Sequence, residues 1–368
     1  MKLIRHSVFI IGFLSVFACA QDKNPTNKQH SFELIVSDLS NPWAFLFLPD
    51  GSMLINEKRG AIIHFKNEIK TLITGVPEVY NRGQGGLLDI KLHPDYANNG
   101  WIYLTYASSE GEGKGGHTAL MRAKLENNTL IEKQVLYKAT PNTTKGQHFG
   151  SRIVFDDKGY LYFTIGERGN RDENPQDITR DGGKVYRLND DGSVPDDNPF
   201  VGRDNAKTAI YSYGHRNPQG MVIHPDTREI WTHEHGPKGG DEINIIKSGK
   251  NYGWPIITYG INYIGTKITD ETARSGMEQP LHYWTPSIAP SGMEFISSNK
   301  YKGWKGNLLV GSLKFQYLDN CYIKDGKVVK EERLLDGLGR VRSVNQGPDG
   351  YIYVGIENLG IVKITKTK

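Results

Sequence analysis

The stretch from Tyr213 to Trp254, YGHRNPQGMVIHPDTREIWTHEHGPKGGDEINIIKSGKNYGW, places polar residues and glycines between apolar, strand-like runs. It contains the adjacent pair Arg216 and Asn217 and, further on, a His-Gly-Pro sequence. Such a composition is poor material for a core and suits a site on loops that a rigid sheet holds in place. We therefore expect this stretch to bind a cofactor.

Two chemistries are open for the second half of this stretch. His233 and His235 are two residues apart and so share a strand face, which by itself suggests half of a transition-metal site. Gly236-Pro237 follows directly, and a bend there can turn backbone carbonyl oxygens toward a hard cation such as Ca²⁺. Asp241-Glu242 either orients this loop or is solvated, and an ordinary hairpin turn is the plain alternative.

Two further loops carry polar side chains that could act on a ligand. Gln84, among the glycines of NRGQGGLLDI, could bind a hydroxylated ligand with both amide atoms, or be an exposed side chain on a glycine turn. His148, in KGQHFGSRIVF, could accept a proton near neutral pH, or make a structural hydrogen bond. The chain has no Gly-x-Ser-x-Gly sequence, so a covalent hydrolase is disfavoured.

Three cations stand near the C-terminus, at Lys314 in GSLKFQ and at Arg340 and Arg342 in GRVRSV. The two arginines share a strand face. If both point inward they need anionic partners, so the ligand should carry carboxylates or phosphates. If both point outward, they form a solvated edge.

The elements that must position these residues are predicted by an internal repeat. Six segments pair an alternating strand with a turn and a second aromatic or β-branched strand, and their turns fall near residues 50, 95, 157, 226, 299 and 349. This spacing predicts an all-β, six-bladed β-propeller of four strands per blade in one domain, because a sandwich would show turns every 8 to 12 residues. The 42 glycines and 19 tyrosines suit many tight turns and large contacts between blades.

The N-terminus has the pattern of an export signal. Lys2 and Arg5 precede an apolar run, and the residues around Cys19 resemble a bacterial lipobox. We expect residues 1–18 to be a lipoprotein-type signal peptide, 19–31 a flexible tether and 32–368 the propeller. The mature chain would then be anchored through a lipid on Cys19 in a bacterial cell envelope, facing the periplasm or the outside; an ordinary secretory signal is the alternative.

Charge and cysteine content exclude several classes of protein. The formal net charge of +4 falls to +2 when Lys2 and Arg5 leave with the signal, so no charge field indicates nucleic acid. Lipidation of Cys19 would leave only Cys321, and one cysteine supports neither a disulfide framework nor a thiolate metal cluster. We expect a monomer or a weak dimer.

Taken together, the motifs resemble the soluble quinoprotein glucose and aldose sugar dehydrogenase family of bacteria. The resemblance runs from Asn41 to Gly360 and is strongest in GQGGLLDIKLHPDY, GHRNPQG, HGPKGGDEIN with KNYGWP, and GSLKFQ, in the family's order. It implies a six-bladed propeller that binds pyrroloquinoline quinone (PQQ) and Ca²⁺ on one face. It also implies oxidation of an aldose at its anomeric carbon to the lactone, with an electron acceptor that the sequence does not identify.

The resemblance assigns a role to each candidate residue. His148 is similar to the base that takes the proton of the anomeric hydroxyl, Gln84 to an amide that contacts the sugar, and Arg216 to the residue that polarises the quinone carbonyl. The carbonyls of Gly236 and Pro237 resemble the calcium ligands. The remaining residues implied to contact the cofactor are Asn217, His235, Lys314, Arg340 and Arg342.

Two departures from the family pattern concern the substrate. His235 stands where the glucose-oxidising branch has a glutamine, and the long insertions of that branch are missing, so we expect a more open pocket and leave the preferred sugar undetermined. Two other functions remain open at this point. They are a calcium-dependent lactonase-type propeller hydrolase and a non-catalytic propeller that binds carbohydrate.

Overall fold

A computed structural model of the protein describes residues 30–366, which form six four-stranded antiparallel sheets. The prediction of an all-β, six-bladed propeller is confirmed. The signal peptide expected at 1–18, Cys19 and nearly all of the tether at 19–31 lie outside the described residues. The first strand begins at His30, two residues before the expected start of the domain. No helix within residues 30–366 is long and apolar enough to cross a membrane.

The strands follow the repeat in chain order, except that β1 (His30–Ser37) joins the last blade. The blades comprise β2 (Pro42–Phe47), β3 (Met53–Glu57), β4 (Ala61–Lys66) and β5 (Ile69–Leu72) in blade 1; β6 (Leu87–Leu92), the short helix α1 (Tyr96–Asn99), β7 (Trp101–Ser108), β8 (His117–Glu126) and β9 (Thr129–Lys138) in blade 2; β10 (Ile153–Phe155), β11 (Leu161–Ile165), β12 (Lys184–Leu188) and β13 (Ile210–Tyr213) in blade 3; β14 (Pro218–Ile223), β15 (Ile230–Glu234), β16 (Asp241–Ile246) and β17 (His282–Trp284) in blade 4; β18 (Pro290–Phe295), β19 (Leu308–Ser312), β20 (Tyr317–Lys324) and β21 (Lys327–Leu334) in blade 5; and β22 (Val341–Gln346), β23 (Ile352–Ile356) and β24 (Gly360–Lys366) in blade 6.

The ring closes through the two ends of the chain. The first strand of each blade lies at the centre and contacts the first strands of its neighbours, including β2 against β22. At the rim, β1 pairs antiparallel with β24, with Ser31 opposite Thr365. Two side chains of β22 add hydrogen bonds to blade 1, from Ser343 Oγ to the Pro42 carbonyl at 3.0 Å and from Asn345 Nδ2 to the Phe45 carbonyl at 2.6 Å.

Adjacent blades pack through apolar faces. Trp231 of blade 4 is buried and meets Phe295 of blade 5 edge to face, with ring centroids 5.3 Å apart. Pairs of this kind stabilise the contact beyond the area they bury. Cys321 is a free thiol, buried in the same layer of side chains.

The turns that identified the repeat and the candidate site lie on opposite faces of the propeller. In every blade the turn that identified the repeat joins the first strand to the second. The candidate residues lie instead before or at the start of the first strand, as with His148 and Arg342, or after the second, as with Gly236. Because neighbouring strands are antiparallel, these two positions fall at the same end of a blade, opposite the turns. The alternation of strands therefore gathers the candidate residues on one face.

Gly360→Ala should weaken the closure of the ring. Gly360 has φ +142°, and a Cβ there would lie 1.8 Å from the carbonyl oxygen of Val36 on β1. We expect the substitution to lower the free energy of unfolding by about 2–4 kcal/mol, measured by urea denaturation. The matched control is Gly326→Ala, where φ is +69° but no atom lies within 4 Å, so only the backbone cost of about 1–2 kcal/mol applies. Equal losses in the two variants would contradict the clash.

Candidate active site

The loops that carry Gln84 and His148 are joined by backbone and side-chain hydrogen bonds. The Gln84 N–H donates to the Gly146 carbonyl at 2.6 Å, and the His148 N–H donates to Gln84 Oε1 at 2.8 Å. Gly83 permits this approach, since it has φ +59° and a Cβ there would lie 2.2 Å from the Gly146 oxygen. The Gln84 amide oxygen therefore fixes the backbone at His148.

His148 forms a pair with Glu167. The imidazole is 9% exposed, its residue has a left-handed φ of +58°, and its Nδ1 lies 2.6 Å from Glu167 Oε1. An ionised carboxylate only accepts hydrogen bonds, so Nδ1 carries the proton and Nε2 keeps its lone pair. Glu167 follows β11 and is held in turn, because its own N–H donates to the Arg216 carbonyl at 2.9 Å.

The electrostatics of this pair favour a neutral imidazole beside a charged carboxylate. Burial lowers the pKa of His148 below its usual 6.5, although the hydrogen bond to Glu167 works in the opposite direction. Burial opposes ionisation of Glu167, but the hydrogen bond from His148 and the charge of Arg216 together lower its pKa below 4.5. At neutral pH His148 is therefore a base with a free ring nitrogen.

Arg216 and Asn217 lie between β13 and β14 and reach the loop after β15. Arg216 is 6% exposed, and its Nη1 donates to the carbonyls of His235 and Gly236, each at 2.9 Å. Asn217 is fully buried, with Oδ1 accepting the Gly150 N–H at 3.1 Å. Its Nδ2 is buried without a hydrogen-bond partner, which is costly unless a ligand supplies an acceptor.

The Gly236-Pro237 loop is held by Asp241, whose two carboxylate oxygens accept the N–H groups of Gly236 and Ala289, each at 2.7 Å. Asp241 thus orients the loop, as one of the two sequence interpretations proposed. A Cβ on Gly236 would lie 2.2 Å from the Gly240 carbonyl oxygen, so the bend requires glycine there. The His235 and Gly236 carbonyl oxygens both lie 2.9 Å from Arg216 Nη1, so the bend brings these two oxygens close together.

The two histidines of this loop are not arranged as metal ligands. His233 Nε2 lies 3.4 Å from the Gly292 carbonyl, and His235 Nε2 lies 2.6 Å from the Pro290 carbonyl. Burial lowers the pKa of His233 to about 3 and that of His235 well below 6.5, so both are neutral and can donate to these oxygens. Within residues 30–366 no three His, Cys, Asp or Glu side chains cluster as a metal site. Half a transition-metal site is therefore not supported.

Arg340 and Arg342 point inward and share one carboxylate. Arg340 Nε lies 2.7 Å from Glu357 Oε2, and Arg342 Nε lies 2.9 Å from Glu357 Oε1. Burial opposes ionisation of Glu357, but the two guanidinium charges lower its pKa overall. Arg342 is 9% exposed, whereas 44% of the Arg340 side chain is exposed. One carboxylate against two guanidinium groups leaves a net positive charge.

Two cavities open on this face and share Gln84 in their walls. The axial cavity, of about 350 Å³, is bordered by Lys58, His235, Arg340, Arg342 and Glu357 among others. The His148 cleft, of about 500 Å³, is bordered by His148, Glu167, Arg216, Pro237 and Trp254 among others. Most of the candidate residues therefore meet at two adjoining spaces. Lys314 does not border either cavity; it is exposed, with Nζ 4.9 Å from the centre of the Phe315 ring.

Sequence reasoning missed Glu167, Glu357 and Lys58. A signal for the carboxylates was present, because four of the six repeats end in glutamate just after or at the end of the second strand: Glu57, Glu167, Glu234 and Glu357. Each accepts hydrogen bonds from the loop before a first strand, for example Glu57 from the Asn41 N–H at 3.1 Å. Lys58 follows Glu57 directly, and burial together with the charge of Arg342 lowers its pKa.

Comparison with known proteins identifies relatives of this chain. The family model for glucose/sorbosone dehydrogenases matches residues 39–362. The aldose sugar dehydrogenase YliI of Escherichia coli K12 is 43% identical over 330 residues, covering 88% of each chain, and the quinoprotein glucose dehydrogenase B of Acinetobacter calcoaceticus is 31% identical, covering 82% of this chain and 67% of the relative.

Solved structures of aldose sugar dehydrogenases superpose on this chain. The apo form of the E. coli aldose sugar dehydrogenase superposes with a TM-score of 0.87 at 39% identity, covering 92% of this chain and all of that one. The PQQ-bound form of an aldose sugar dehydrogenase from Streptomyces coelicolor superposes with a TM-score of 0.75 at 26% identity, covering 92% and 98%.

Fold, site and relatives define an oxidoreductase built on a six-bladed β-propeller. The chain belongs to the glucose/sorbosone dehydrogenase family. The resemblance drawn from the motifs is thus confirmed, and the family assignment favours an oxidoreductase over a lactonase or a non-catalytic binding protein.

Glu167→Gln should lower the pKa of His148 further. The glutamine oxygen can still accept from Nδ1, but the negative charge that favours the imidazolium form is removed, so protonation of His148 moves to lower pH. Histidine NMR titration of the folded protein measures this midpoint. The control is Glu173→Gln, which removes an exposed carboxylate that pairs with Arg180. An unchanged His148 midpoint in Glu167→Gln would contradict the electrostatic coupling.

Proposed function

We propose that this protein is a PQQ- and calcium-dependent aldose sugar dehydrogenase that oxidises the anomeric carbon to the lactone. The observation that carries the proposal is the adjacency of two spaces. A neutral, carboxylate-held histidine faces the His148 cleft, and the axial cavity beside it has three cationic side chains in its wall. The relatives named for aldose oxidation, and the solved relative with bound PQQ, support the same assignment.

The axial cavity fits the quinone. PQQ is a flat tricarboxylate, and Lys58, Arg340 and Arg342 face this space against the single carboxylate of Glu357. Arginine is well suited to paired hydrogen bonds with carboxylates. Outside the axial cavity, Trp254 Nε1 in the wall of the adjoining His148 cleft and the buried Asn217 Nδ2 are donors without partners, as expected near a ligand that supplies acceptors. Lys314 would join these contacts only if its side chain turned from Phe315 toward the cavity.

The Gly236-Pro237 loop fits calcium. Backbone carbonyl oxygens are ligands that Ca²⁺ prefers. Arg216 donates to the Gly236 oxygen, but a carbonyl has two lone pairs, so this oxygen can still bind an ion. Two carbonyls leave a six- to eight-coordinate ion incomplete, so the quinone and water must supply the remaining ligands.

The proton chemistry belongs to His148 and Glu167. When bound, the quinone supplies the two-electron acceptor for the hydride that leaves C1 of the aldose, which becomes the lactone. His148 Nε2 takes the proton of the C1 hydroxyl, and Glu167 holds the ring by Nδ1 and stabilises the imidazolium that forms. Gln84 fixes the His148 backbone, while Arg216 provides a positive charge between the cleft and the Gly236-Pro237 loop.

Reduction of the bound cofactor by sugar tests the function. Purified protein is mixed with PQQ and calcium, and we expect an aldose to bleach the oxidised quinone in a stopped-flow instrument, with chelation abolishing the change. His148→Gln should bind quinone normally and slow this reduction by about 10²–10⁴, because the general base is lost. Full oxidation of the sugar by a preparation free of quinone and calcium would refute the proposal. A wild-type rate in His148→Gln would return this residue to a structural role.

Arg342→Ala should weaken quinone binding by about 1.5–3 kcal/mol, the range for a lost charge-assisted hydrogen bond. Arg340→Ala should cost less, because the Arg340 side chain is four times as exposed as that of Arg342. Titration of quinone absorbance measures both without turnover. Arg228→Ala is the control, since Arg228 pairs with Asp157 on the opposite face. Unchanged binding in Arg342→Ala would exclude the axial cavity as the quinone site.

We also propose that the protein is exported and anchored through a lipid on Cys19, which the lipobox-like sequence supports. The enzyme would then work in the cell envelope, where an acceptor must reoxidise the reduced quinone.

A further inference from the structure

A third space adjoins the His148 cleft, and nothing described so far uses it. It measures about 410 Å³, and we call it the basic cavity; it is bordered by His117, Lys145, Arg168, Arg180, Asp181 and Lys207 among others. Lys145 and Asn170 border both the basic cavity and the His148 cleft, so the two spaces adjoin along that wall. A ligand seated at His148 therefore lies next to the basic cavity.

The charges in this wall are unbalanced. Among the described residues that border it, four are lysines or arginines and one, Asp181, is a carboxylate. Asp181 is already saturated, since it accepts from Lys207 Nζ at 2.8 Å, Tyr137 Oη at 2.6 Å, Tyr186 Oη at 2.9 Å and the Thr140 N–H at 2.9 Å. Arg180 pairs with Glu173, which stands outside the wall, at 2.7 Å. The wall keeps a net positive charge even when both carboxylates are counted.

Arg168 is the most buried of these four cations. It is 1% exposed, its guanidinium lies 3.4 Å from the centre of the Phe149 ring, and it donates to the backbone carbonyls of Gln147, Gly116 and Lys145. No carboxylate bonds to it, and its Nε is buried without a partner. Burial accordingly lowers the pKa of Arg168 to about 9. A buried cation without a paired anion is costly, and an anionic ligand group nearby offsets that cost.

The rest of the wall suits a saccharide. Asn142, Asn170, Asn174 and Thr179 border the space and can bond hydroxyl groups. A volume of about 410 Å³ lies within the roughly 300–1,000 Å³ range of small-molecule sites.

We infer that the basic cavity binds an anionic sugar unit, so that the natural substrate class is acidic oligosaccharides whose reducing-end aldose lies at His148 and whose next unit carries a carboxylate or phosphate. This inference rests on the proposed function for the placement of the reducing end. Uronates and sugar phosphates both carry the negative charge that the cavity would bind. The experiment below distinguishes these two kinds of ligand.

Methyl glycosides test the cavity without turnover, because they lack the free anomeric hydroxyl. Methyl β-cellobioside is compared by calorimetric titration with its 6′-carboxylate and 6′-phosphate analogues, on the full chain with and without quinone and calcium. We expect at least one acidic glycoside to bind about tenfold more tightly than the neutral one at low ionic strength, with the preference falling as salt is added. The acidic glycoside that binds more tightly identifies the preferred anionic group, carboxylate or phosphate.

Arg180→Gln and Lys207→Gln should reduce this preference to about twofold or less. Lys207 pairs with the buried Asp181, so Lys207→Gln could impair folding. In that case Arg180→Gln decides the test, because Arg180 is partly exposed. Arg203→Gln, an exposed arginine that stacks on Phe200 outside the wall, should keep the preference. Equal affinity of the wild type for acidic and neutral glycosides, or equal losses in Arg180→Gln and Arg203→Gln, would overturn the inference. Quinone titration on the same samples shows separately whether the proposed function fails.

Discussion

The structure of the site depends on buried carboxylates that stand at one end of the second strands. A buried carboxylate is stabilised by hydrogen-bond donors, so each one fixes the loop that supplies them, even though Glu167 Oε2 is itself buried without a partner. Glu167 holds the His148 ring, Glu234 accepts the Arg216 N–H, and Glu357 holds Arg340 and Arg342. The same position in blades 3, 4 and 6 thus anchors three different functional groups.

This repetition explains how a symmetric scaffold carries an asymmetric site. All six blades share one four-stranded antiparallel pattern, whereas the loop facing each glutamate differs. In blade 3 the donor is the His148 imidazole, in blade 4 the Arg216 N–H together with the His215 imidazole, and in blade 6 a pair of guanidinium groups. In these blades the glutamate is the common hydrogen-bond acceptor, and the group that donates to it varies. Changing the donor therefore alters the site while the glutamate stays in place.

Much of the fold and part of the site could be predicted from the sequence, for physical reasons. Alternating strands with turn residues between them predict six hairpins, and the long spacing separates a propeller from a sandwich. The sequence also predicts which loops are polar. It does not say where a loop side chain points, so Lys314 was grouped with Arg340 and Arg342 although it lies over Phe315. Nor does the sequence show whether the charges of Arg340 and Arg342 are balanced by a ligand or by a carboxylate of the chain itself, which here is Glu357.

The pairing of β1 with β24 has a consequence for when the site can exist. Ser31 and Thr365 are 334 residues apart, and the axial cavity draws Lys58 from blade 1 and Arg342 from blade 6. Contacts of such separation form late, because the intervening chain must be ordered first. A chain emerging from the ribosome or a secretion channel therefore has no complete axial cavity until its last strand is delivered. Any ligand of this cavity must be acquired after synthesis, in whichever compartment the ring closes.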